Sequence, residues 1–389
     1  LSINSINRVS SSNVYSPSNY PAANNSSFDG YAINSKETKN LTKKKFKKFR
    51  ILKTIAAGDN PKIKKAQKHS TIEVMTGAII QKPYDAVIPI EQIKFYPKKN
   101  KYNYIIVDRR VSKNDYIRFE GSDFKKREKV INKGELIKSQ HILALKALGI
   151  KKILVKKKPS IVFYTTGNEI SNKENVPKWK VRNSNGFYIN SFLNSLPISF
   201  KQKKILRDHD SLKFKKEILT NLKSKNEIIL TSGAVSAGKY DFIPSIIKQF
   251  KLKYFFKGVS IRPGKPVMFA KFSKNKVFFG LPGNPISSAA CIKFFVLPFL
   301  YYSIGMKENK PIIARLKNSF VKKKTFTRFT KGKLTFSTKG EAEFKVFKGQ
   351  ESFRIKPFTK SNAWGLFPSG KDKFKKNDYI ECYTLTGIN

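Results

Sequence analysis

Three segments in the second half of the chain repeat one pattern, in which an apolar run ends in a turn of small residues and helical spacing follows. These segments are SIVFYTTGNEI (160–170), EIILTSGAVSAGKYD (227–241) and KVFFGLPGNPISS (276–288). Apolar strands that alternate with helices are typical of a parallel, doubly wound sheet. We therefore predict an α/β domain over 159–306, with helices near 184–196 and 210–222. Ligands of such a domain lie at the carboxyl ends of its strands.

The flanking regions have different patterns. Short strand-like pieces separated by turns fill 28–120 and indicate a small β-rich module. The segment GELIKSQHILALKALGI (134–150) has helical spacing, and Gly149 is placed to end that helix. From 307 onward polar and apolar residues alternate, as in FTRFTKGKLTFSTKGEAEFKVFKG (326–349). This alternation predicts a small antiparallel β domain.

The composition excludes several classes of protein. The chain has 389 residues, 40% of them apolar, which suits a globular protein of about two to four domains rather than a disordered one. No uninterrupted apolar run reaches the roughly 18 residues of a membrane span, and 294–304, which contains Pro298, predicts a buried helix. No signal-peptide pattern is evident at the start of the sequence. The only two cysteines, Cys291 and Cys382, cannot form a disulfide framework, and no Cys/His spacing indicates a zinc site. We expect a cytoplasmic protein with no membrane partner.

The formal charge of +53 has two interpretations. Clustered Lys and Arg would indicate a nucleic-acid binder. However, only 12 of the 79 basic residues are Arg, Lys is spread along the whole chain, and Asn, Ile and Phe are abundant. This favours a biased coding composition over a nucleic-acid site, and the same positive field would also attract an anionic small substrate.

The loop TSGAVSAGKYD (231–241) could bind an anion, because small residues let successive backbone N–H groups converge on it. Its candidate residues are Thr231, Ser232, Gly233, Ser236 and Gly238. Asp241 stands where the next helix is expected to begin. The alternative is a plain tight turn with Asp241 as a helix N-cap.

The other loops add charged and rigid groups. Glu169 follows a strand and could hold a metal ion or a hydroxyl, or cap the next helix. Arg262 and Lys265 flank a Pro-Gly turn, where two cations suit a phosphate, although a solvated turn is equally consistent with either residue alone. In LPGNP (281–285) the prolines fix the backbone and the glycine allows a ligand to approach closely. This rigidity indicates a preorganised site.

Taken together, the motifs resemble the MoeA/gephyrin family, the molybdopterin molybdenumtransferases. In chain order they are SPSNYPAANNSSFDGYAI (16–33), VMTGA (74–78), TTGNEI (165–170), TSGAVSAGKYD (231–241), IRPGKP (261–266) and GLPGNPISS (280–288). The likeness runs from about 7 to 370. It implies a multidomain α/β protein with a three-layer molybdopterin-binding domain (159–306) and an inserted β-rich lid (28–120). It also implies a segmented dimerisation domain (1–27 and 121–158), a C-terminal β-barrel (307–389) and a family helix ahead of Leu1.

The resemblance further implies an activity. Family members insert molybdenum from molybdate into adenylylated molybdopterin and release AMP, in a cleft between the subunits of a homodimer. Molybdopterin adenylyltransferase and apo-molybdoenzymes are the implied partners. Matched to the family's motifs, the catalytic positions are Asp29, Thr76, Asp123, Glu169, Asp208 and Asp241. Because carboxylates can hold a divalent cation that polarises the anhydride, we expect Mg²⁺ as a cofactor, with Glu169 and Asp241 as its ligands. The cofactor-binding positions are Thr231, Ser232, Gly233, Ser236, Gly238, Arg262, Lys265, Pro282, Gly283, Asn284, Pro285 and Ser352.

The chain departs from the family pattern at five positions. Asn168 and Asn183 each replace an acid, and Ala234 replaces a glycine. Glu73 stands where a base is usual, and Lys331 stands where Arg is usual, which keeps the charge but loses the bidentate fork. These changes fit either a tuned site or a drifting one, and a non-catalytic oligomerising scaffold on the same fold is the alternative function. Because Asp29, Glu169 and Asp241 are retained, we favour an enzyme.

Overall fold

The computed structural model describes residues 2–63, 66–97, 103–235, 241–306 and 310–385. The chain divides into two compact units. The amino-terminal unit comprises Leu1–Ile6, Ser12–Lys133 and Ile137–Leu154, and the carboxy-terminal unit comprises Asn7–Ser11, Gly134–Leu136 and Val155–Asn389. This division is coarser than the four domains expected from the sequence, whose boundaries stay a prediction.

The amino-terminal unit is rich in short strands. They are β1 (Val14–Tyr15), β2 (Asn25–Ser26), β3 (Gly30–Ile33), β4 (Lys47–Ile55), β5 (Ser70–Val74), β6 (Ala86–Pro89), β7 (Lys94–Tyr96), β8 (Tyr104–Val107), β9 (Ile117–Arg118) and β10 (Lys129–Ile131), followed by helix α1 (Ser139–Ala147). Six of them form one sheet in the order β6-β3-β5-β4-β8-β7, and β1–β10 and β2–β9 form two small pairs. This unit has an apolar cluster on each face of the six-stranded sheet. Because side chains alternate along β3, Tyr31 and Ile33 belong to one cluster and Ala32 belongs to the other.

Helix α1 is shorter than the helical spacing over 134–150 predicts. It begins at Ser139, where the ring Nδ1 of His141 accepts a hydrogen bond from the N–H of Lys138 at 3.0 Å. This bond satisfies an N-terminal donor and so favours a helix start at this point. Gly149 has a φ of +68°, the left-handed conformation expected of a residue that follows a helix end.

The carboxy-terminal unit contains the remaining strands and helices. Its strands are β11 (Ser160–Thr165), β12 (Ile170–Ser171), β13 (Val181–Arg182), β14 (Ser199–Gln202), β15 (Ile228–Ser232), β16 (Tyr254–Lys257), β17 (Ile261–Arg262), β18 (Met268–Ser273), β19 (Lys276–Leu281), β20 (Ile312–Leu316), β21 (Phe320–Val321), β22 (Thr327–Phe336), β23 (Ala342–Val346), β24 (Ala363–Phe367), β25 (Lys373–Phe374) and β26 (Tyr379–Thr384). Its helices are α2 (Ser184–Asn194), α3 (Ser211–Lys223), α4 (Ile243–Lys248), α5 (Pro285–Cys291), α6 (Leu297–Ile304) and α7 (Lys356–Thr359), with a π-helical turn at Ile292–Val296 between α5 and α6.

The central sheet has the order β14-β11-β15-β19-β18-β16. The first four strands are parallel, as the sequence pattern predicts, and apolar clusters cover both faces of the sheet. Strand β18 runs antiparallel to both of its neighbours, β19 and β16, so the sheet is mixed. The β18–β19 pair is antiparallel because the connection through Lys274 and Asn275 is short, and a turn of this length can join only antiparallel strands.

The carboxy-terminal strands close into a small barrel. Strands β22, β23, β20, β26 and β24 pair in that order, and β24 pairs again with β22. The barrel interior is apolar, with Leu316, Phe344 and Phe367 fully or almost fully buried. The α/β multidomain fold with a C-terminal β-barrel is therefore confirmed.

One helical stretch in the described part of the chain, Pro285–Ile304, has the length and hydropathy of a membrane span. Two thirds of it is buried inside the protein (67%). Ile292, Val296 and Leu300 belong to the apolar cluster on one face of the central sheet. The buried helix predicted over 294–304 is thus a core element of the α/β layer.

Candidate active site at the carboxyl ends of the parallel strands

A cleft of about 950 Å³ opens where the parallel strands of the central sheet end. The connections that follow β11, β15 and β19 line it, together with the turn after β17 and a barrel loop at Glu351–Phe353. We call this space the strand-end cleft. The three motif loops singled out in the sequence therefore meet in one place, because parallel strands in one sheet end at the same edge.

Most of the sequence-derived site residues of the carboxy-terminal unit line the strand-end cleft. They are Glu169, Asp208, Ser232, Gly233, Asp241, Arg262, Lys265, Pro282, Gly283, Asn284, Pro285 and Ser352. Thr231 does not line it, because neighbouring strand residues point to opposite faces and its side chain is fully buried. Ser236 and Gly238 lie outside the described residues.

The Gly-rich loop packs tightly against the loop that follows β11. Gly233 has a φ of +100°, and a Cβ there would lie 2.5 Å from Oγ1 of Thr166. Only glycine fits this position, for reasons of both conformation and space. The next residue, Ala234, also has a positive φ of +52°, which is unfavourable for a residue with a Cβ. The alanine that replaces a family glycine is therefore strained.

Hydrogen bonds fix the LPGNP turn. The Asn185 side chain donates to Oγ of Ser232 at 2.9 Å and to the carbonyl of Gly283 at 2.7 Å. Ser288 Oγ donates to the carbonyl of Pro282 at 2.7 Å and lies 3.0 Å from Oγ of Ser232. The Asn185 side chain therefore ties two cleft loops together.

A single arginine braces the loop that carries Glu169. The Arg207 guanidinium donates to the carbonyls of Gly167, Asn168 and Ile170 at 2.8 to 3.1 Å. Both carboxylate oxygens of Glu169 would lie 2.7 Å from a Cβ at Gly167, so this carboxylate packs directly over the glycine. The bracing holds Glu169 at the cleft without a direct ion pair to Arg207.

The two asparagines that replace family acids have local structural roles. Asn168 Oδ1 accepts a hydrogen bond from the N–H of Asp208 at 3.1 Å. Asn183 is buried; its Oδ1 caps α2 by accepting from the N–H of Gly186 at 2.9 Å, and its Nδ2 donates to Asn172 at 2.9 Å. The capping function thus survives the loss of charge, and the amide of Asn183 supplies a donor that a carboxylate lacks.

Four carboxylates line the cleft, namely Glu169, Asp208, Asp241 and Glu351. In the described part of the chain no group of three or more His, Cys, Asp or Glu side chains is close enough to hold a metal ion by itself. Mg²⁺ is commonly bound through one or two carboxylates, with water and substrate phosphates as the other ligands. Glu169 and Asp241 are therefore compatible with a Mg²⁺ that a phosphate substrate helps to hold.

Cations line the same cleft. Arg262 and Lys265 lie over the ring of Phe326, with their charged groups 4.7 and 5.8 Å from its centroid. Arg328, from strand β22, also lines the cleft, and burial together with nearby Arg262 lowers its pKa. Arg328 was missed in the sequence because it stands in an alternating β run like any exposed strand residue.

A buried lysine holds the barrel loop that carries Ser352. Lys331 is 1% exposed and donates to the carbonyls of Glu351 and Arg354, both at 3.0 Å. Burial lowers its pKa to about 8. The N–H of Ile286 also donates to the carbonyl of Ser352 at 3.1 Å, which links this loop to the start of α5. Lys331 therefore sets the position of Ser352 although it does not line the cleft itself.

Three of the proposed catalytic residues, Asp29, Thr76 and Asp123, belong to the amino-terminal unit. The N–H and hydroxyl of Thr76 donate to Oδ1 of Asp29 at 2.6 and 2.8 Å and hold the pKa of that carboxyl below its usual value. Asp123 lies 3.8 Å from the Arg118 guanidinium. Glu73, where the family usually has a base, accepts hydrogen bonds from Tyr31 and Thr54 at 3.1 and 2.5 Å.

Comparison with known proteins agrees with these motifs. Residues 1–149 match the family region described as MoeA N-terminal region (domain I and II), and residues 162–302 match the probable molybdopterin binding domain. The chain is 29% identical to a molybdopterin molybdenumtransferase of Staphylococcus aureus over 381 residues, which cover 97% of this chain and 88% of the relative. The corresponding Staphylococcus epidermidis protein is 28% identical over 385 residues, with the same coverage.

A solved structure has the same fold. The molybdopterin biosynthesis moeA protein from Pyrococcus horikoshii OT3 superposes with a TM-score of 0.81, covering 98% of this chain and 93% of that one at 24% identity. Two family regions in the expected order, relatives matched along nearly the whole chain and a shared fold lead to one conclusion. The chain belongs to the MoeA family.

Proposed function

We propose that the chain is a molybdopterin molybdenumtransferase, which inserts molybdenum from molybdate into adenylylated molybdopterin and releases AMP. The observation that carries this proposal is the strand-end cleft, where carboxylates, cations and rigid backbone turns from separate loops meet. The name shared by the staphylococcal relatives supports the same reaction. The function is a step in molybdenum cofactor biosynthesis.

The basic and acidic residues of the cleft have different proposed roles. Arg262, Lys265 and Arg328 bind the anionic oxygens of phosphate and molybdate, since cationic donors form the strongest hydrogen bonds to such groups. Gly233, Ala234 and Val235 of the Gly-rich loop line the cleft together with these cations. The LPGNP turn keeps its shape through Asn185 and Ser288, so bound groups are oriented without reorganisation of the loop.

The carboxylates serve the anhydride end of the substrate. Glu169 and Asp241 would hold Mg²⁺, which would polarise the phosphoanhydride and neutralise charge on the released AMP. Asp208 adds a third carboxylate to the cleft, and its backbone is tied to Asn168. Water adds to the phosphoanhydride, which divides into AMP and the molybdopterin phosphate. The two thiol groups of the dithiolene displace one oxo ligand of molybdate, which takes both thiol protons and leaves as water. Ser352, held by the barrel loop, donates to an oxygen of the bound molybdate or phosphate.

Further parts of the proposal come from the family resemblance. We propose a cytoplasmic homodimer in which Asp29, Thr76 and Asp123 contribute to catalysis, with molybdopterin adenylyltransferase and apo-molybdoenzymes as partners. The hydrogen bonds from Thr76 lower the pKa of Asp29 and fix the orientation of its carboxylate, which suits an acid that contacts a cationic group or metal. Sedimentation velocity of the full chain tests the dimer.

The reaction is tested by reconstitution with adenylylated molybdopterin, molybdate and Mg²⁺, followed through AMP release and activation of an apo-molybdoenzyme. We expect AMP release that requires molybdate and that falls at least 100-fold in Asp241→Asn. Asp372→Asn is the matched control, because Asp372 is exposed and does not line the cleft. AMP release that persists without molybdate, or that survives in Asp241→Asn, would contradict the proposal.

A further inference from the structure

A second large pocket lies at the opposite end of the central sheet. Its volume is about 740 Å³, and it is lined where β11, β15 and β19 begin and by one side of α6. The strand-end cleft, in contrast, lies where these strands end. The two spaces share no lining residue. No motif that carries the family resemblance reaches this pocket.

Aromatic rings form its walls. Tyr254, Phe269, Phe299 and Tyr302 all line it. The ring centroids of Tyr254 and Phe269 are 6.1 Å apart, and those of Phe269 and Phe299 are 6.2 Å apart, so the rings form a continuous surface. Tyr254 is 58% exposed and Tyr302 is 85% exposed. Such rings are available to stack on a flat ligand and lose little conformational entropy in doing so.

Lysines surround these rings. Five of the fifteen lining residues are Lys, whereas Lys makes up 67 of 389 residues in the chain, so the pocket is about twice as rich in Lys as the chain composition predicts. They are Lys156, Lys157, Lys253, Lys271 and Lys274. The one lining carboxylate is Glu227.

Glu227 does not neutralise this charge. One of its oxygens accepts from the N–H of Ser160 at 3.0 Å, and the other lies 3.5 Å from the ammonium of Lys157. Among the described residues, the ion pairs within 4.0 Å do not include Lys156, Lys253, Lys271 or Lys274. The pocket therefore holds a net positive charge beside an aromatic surface.

The floor of the pocket is fixed before any ligand arrives. Lys276 donates to the carbonyls of Asn221, Ser224 and Asn226 at 2.5 to 3.1 Å, and burial lowers its pKa. These bonds hold the turn that precedes β15 against the start of β19. The Glu227–Ser160 bond holds the same turn against the start of β11. A preorganised floor lowers the entropic cost of binding.

We propose that this aromatic–lysine pocket binds a planar aromatic anion of nucleotide size. The walls supply stacking for the ring, the lysines supply charge for the phosphate, and the volume is within the roughly 300–1,000 Å³ of small-molecule sites. A bare anion would leave the aromatic surface unused, and an uncharged ring would leave the lysines unpaired. The proposal does not depend on the reaction at the strand-end cleft.

The test uses a fluorescent N-methylanthraniloyl derivative of AMP, titrated into the full chain at fixed salt. Since AMP is also the proposed product at the cleft, two variants separate the sites. We expect the double variant Lys271→Glu/Lys274→Glu to weaken probe binding to the aromatic–lysine pocket at least tenfold, with AMP release within twofold of wild type. Arg262→Ala should weaken probe binding only at the strand-end cleft. Tyr302→Ala, a change at an exposed ring, should reduce the affinity of the pocket three- to tenfold.

Charge alone is controlled by Lys339→Glu/Lys360→Glu, because both residues are exposed and lie outside both spaces. Competition experiments distinguish the contribution of ring stacking from that of the anionic charge. Unlabelled ATP should displace the probe at least tenfold more effectively than adenosine or pyrophosphate. Three results would overturn the proposal: no site that survives Arg262→Ala, equal losses in the control variant, or pyrophosphate competing as well as ATP.

Discussion

The two ends of the central sheet differ in the balance of acidic and basic side chains. The strand-end cleft mixes four carboxylates with Arg182, Arg262, Lys265 and Arg328. The aromatic–lysine pocket has five lysines and a single carboxylate. Acids are scarce in this chain, at 26 against 79 basic residues, so four at one cleft is a specific placement. In a Lys-rich chain the functional site is therefore marked by its acids and polar bonds better than by positive charge.

Two kinds of cation occur at the ends of the sheet. Arg207 and Lys331 near the cleft donate to backbone carbonyls and fix the loops that carry Glu169 and Ser352, and Lys276 does the same beneath the pocket. Lys253 and Lys274, which line the pocket, are exposed. Cations of the first kind contribute to the shape of a site, whereas those of the second kind contribute only to its field.

The largest expected effect is on the free energy of unfolding, and it compares one lysine of each kind. In Lys331→Met the carbonyls of Glu351 and Arg354 lose a buried donor, and we expect the free energy of unfolding to fall by about 3 kcal/mol. Lys253→Met in the pocket should change it by less than about 0.5 kcal/mol. Urea denaturation measures both, and Lys331→Arg, which restores a donor, should recover most of the loss. Equal effects of the two methionine substitutions would contradict the distinction.

The same lysine predicts a pH dependence. The folded pKa of Lys331 is about 8, below the ordinary 10.5, because burial disfavours the charged form. Between these two values the unfolded chain binds more protons at this residue than the folded chain does. Its contribution to stability therefore rises with pH in this window and is constant below it. The difference between wild type and Lys331→Met should grow from pH 8 to pH 10, while that for Lys253→Met should not.

Sequence reasoning located the cleft because it depends on a local pattern. An apolar run, a turn of small residues and a following helix place each loop at a strand end, and the parallel sheet gathers those ends. Alternation also predicted a carboxy-terminal antiparallel β domain, although its β20–β23 pair is parallel, and the barrel form was implied by the family resemblance. The reversed direction of β18 in the central sheet was missed, because apolar runs alone do not reveal strand direction.

The contacts that sequence reasoning did not predict act across long separations. Arg328 reaches the cleft from the barrel, and Lys331 binds carbonyls 20 and 23 residues further along the chain. Neither contact leaves a local signal, since both residues stand in a regular strand. Thr231 shows the converse case. It belongs to a recognisable motif, but the pleat of β15 turns its side chain into the core.

An intermediate effect is expected on catalytic activity, when one cation is removed from each end of the sheet. Arg262→Ala removes one exposed cation from the cleft, and Lys271→Ala removes one cation from the pocket. A charged hydrogen bond to an anion contributes about 2 kcal/mol, so we expect Arg262→Ala to lower kcat/KM for AMP release about 30-fold. Lys271→Ala should leave it within twofold. If both fall equally, the general positive field rather than the cleft geometry drives binding.

The smallest expected effect concerns the strained alanine at the cleft. Ala234 has a φ of +52°, which costs a residue with a Cβ about 1 to 2 kcal/mol, whereas glycine adopts it freely at some cost in unfolded-chain entropy. Ala234→Gly should therefore raise the free energy of unfolding by about 1 kcal/mol in urea denaturation. Ala270→Gly, in the buried strand β18, is the matched control and should lower it instead, since it removes a packed methyl group. A destabilised Ala234→Gly variant would show that the alanine methyl group contributes contacts that outweigh its backbone strain.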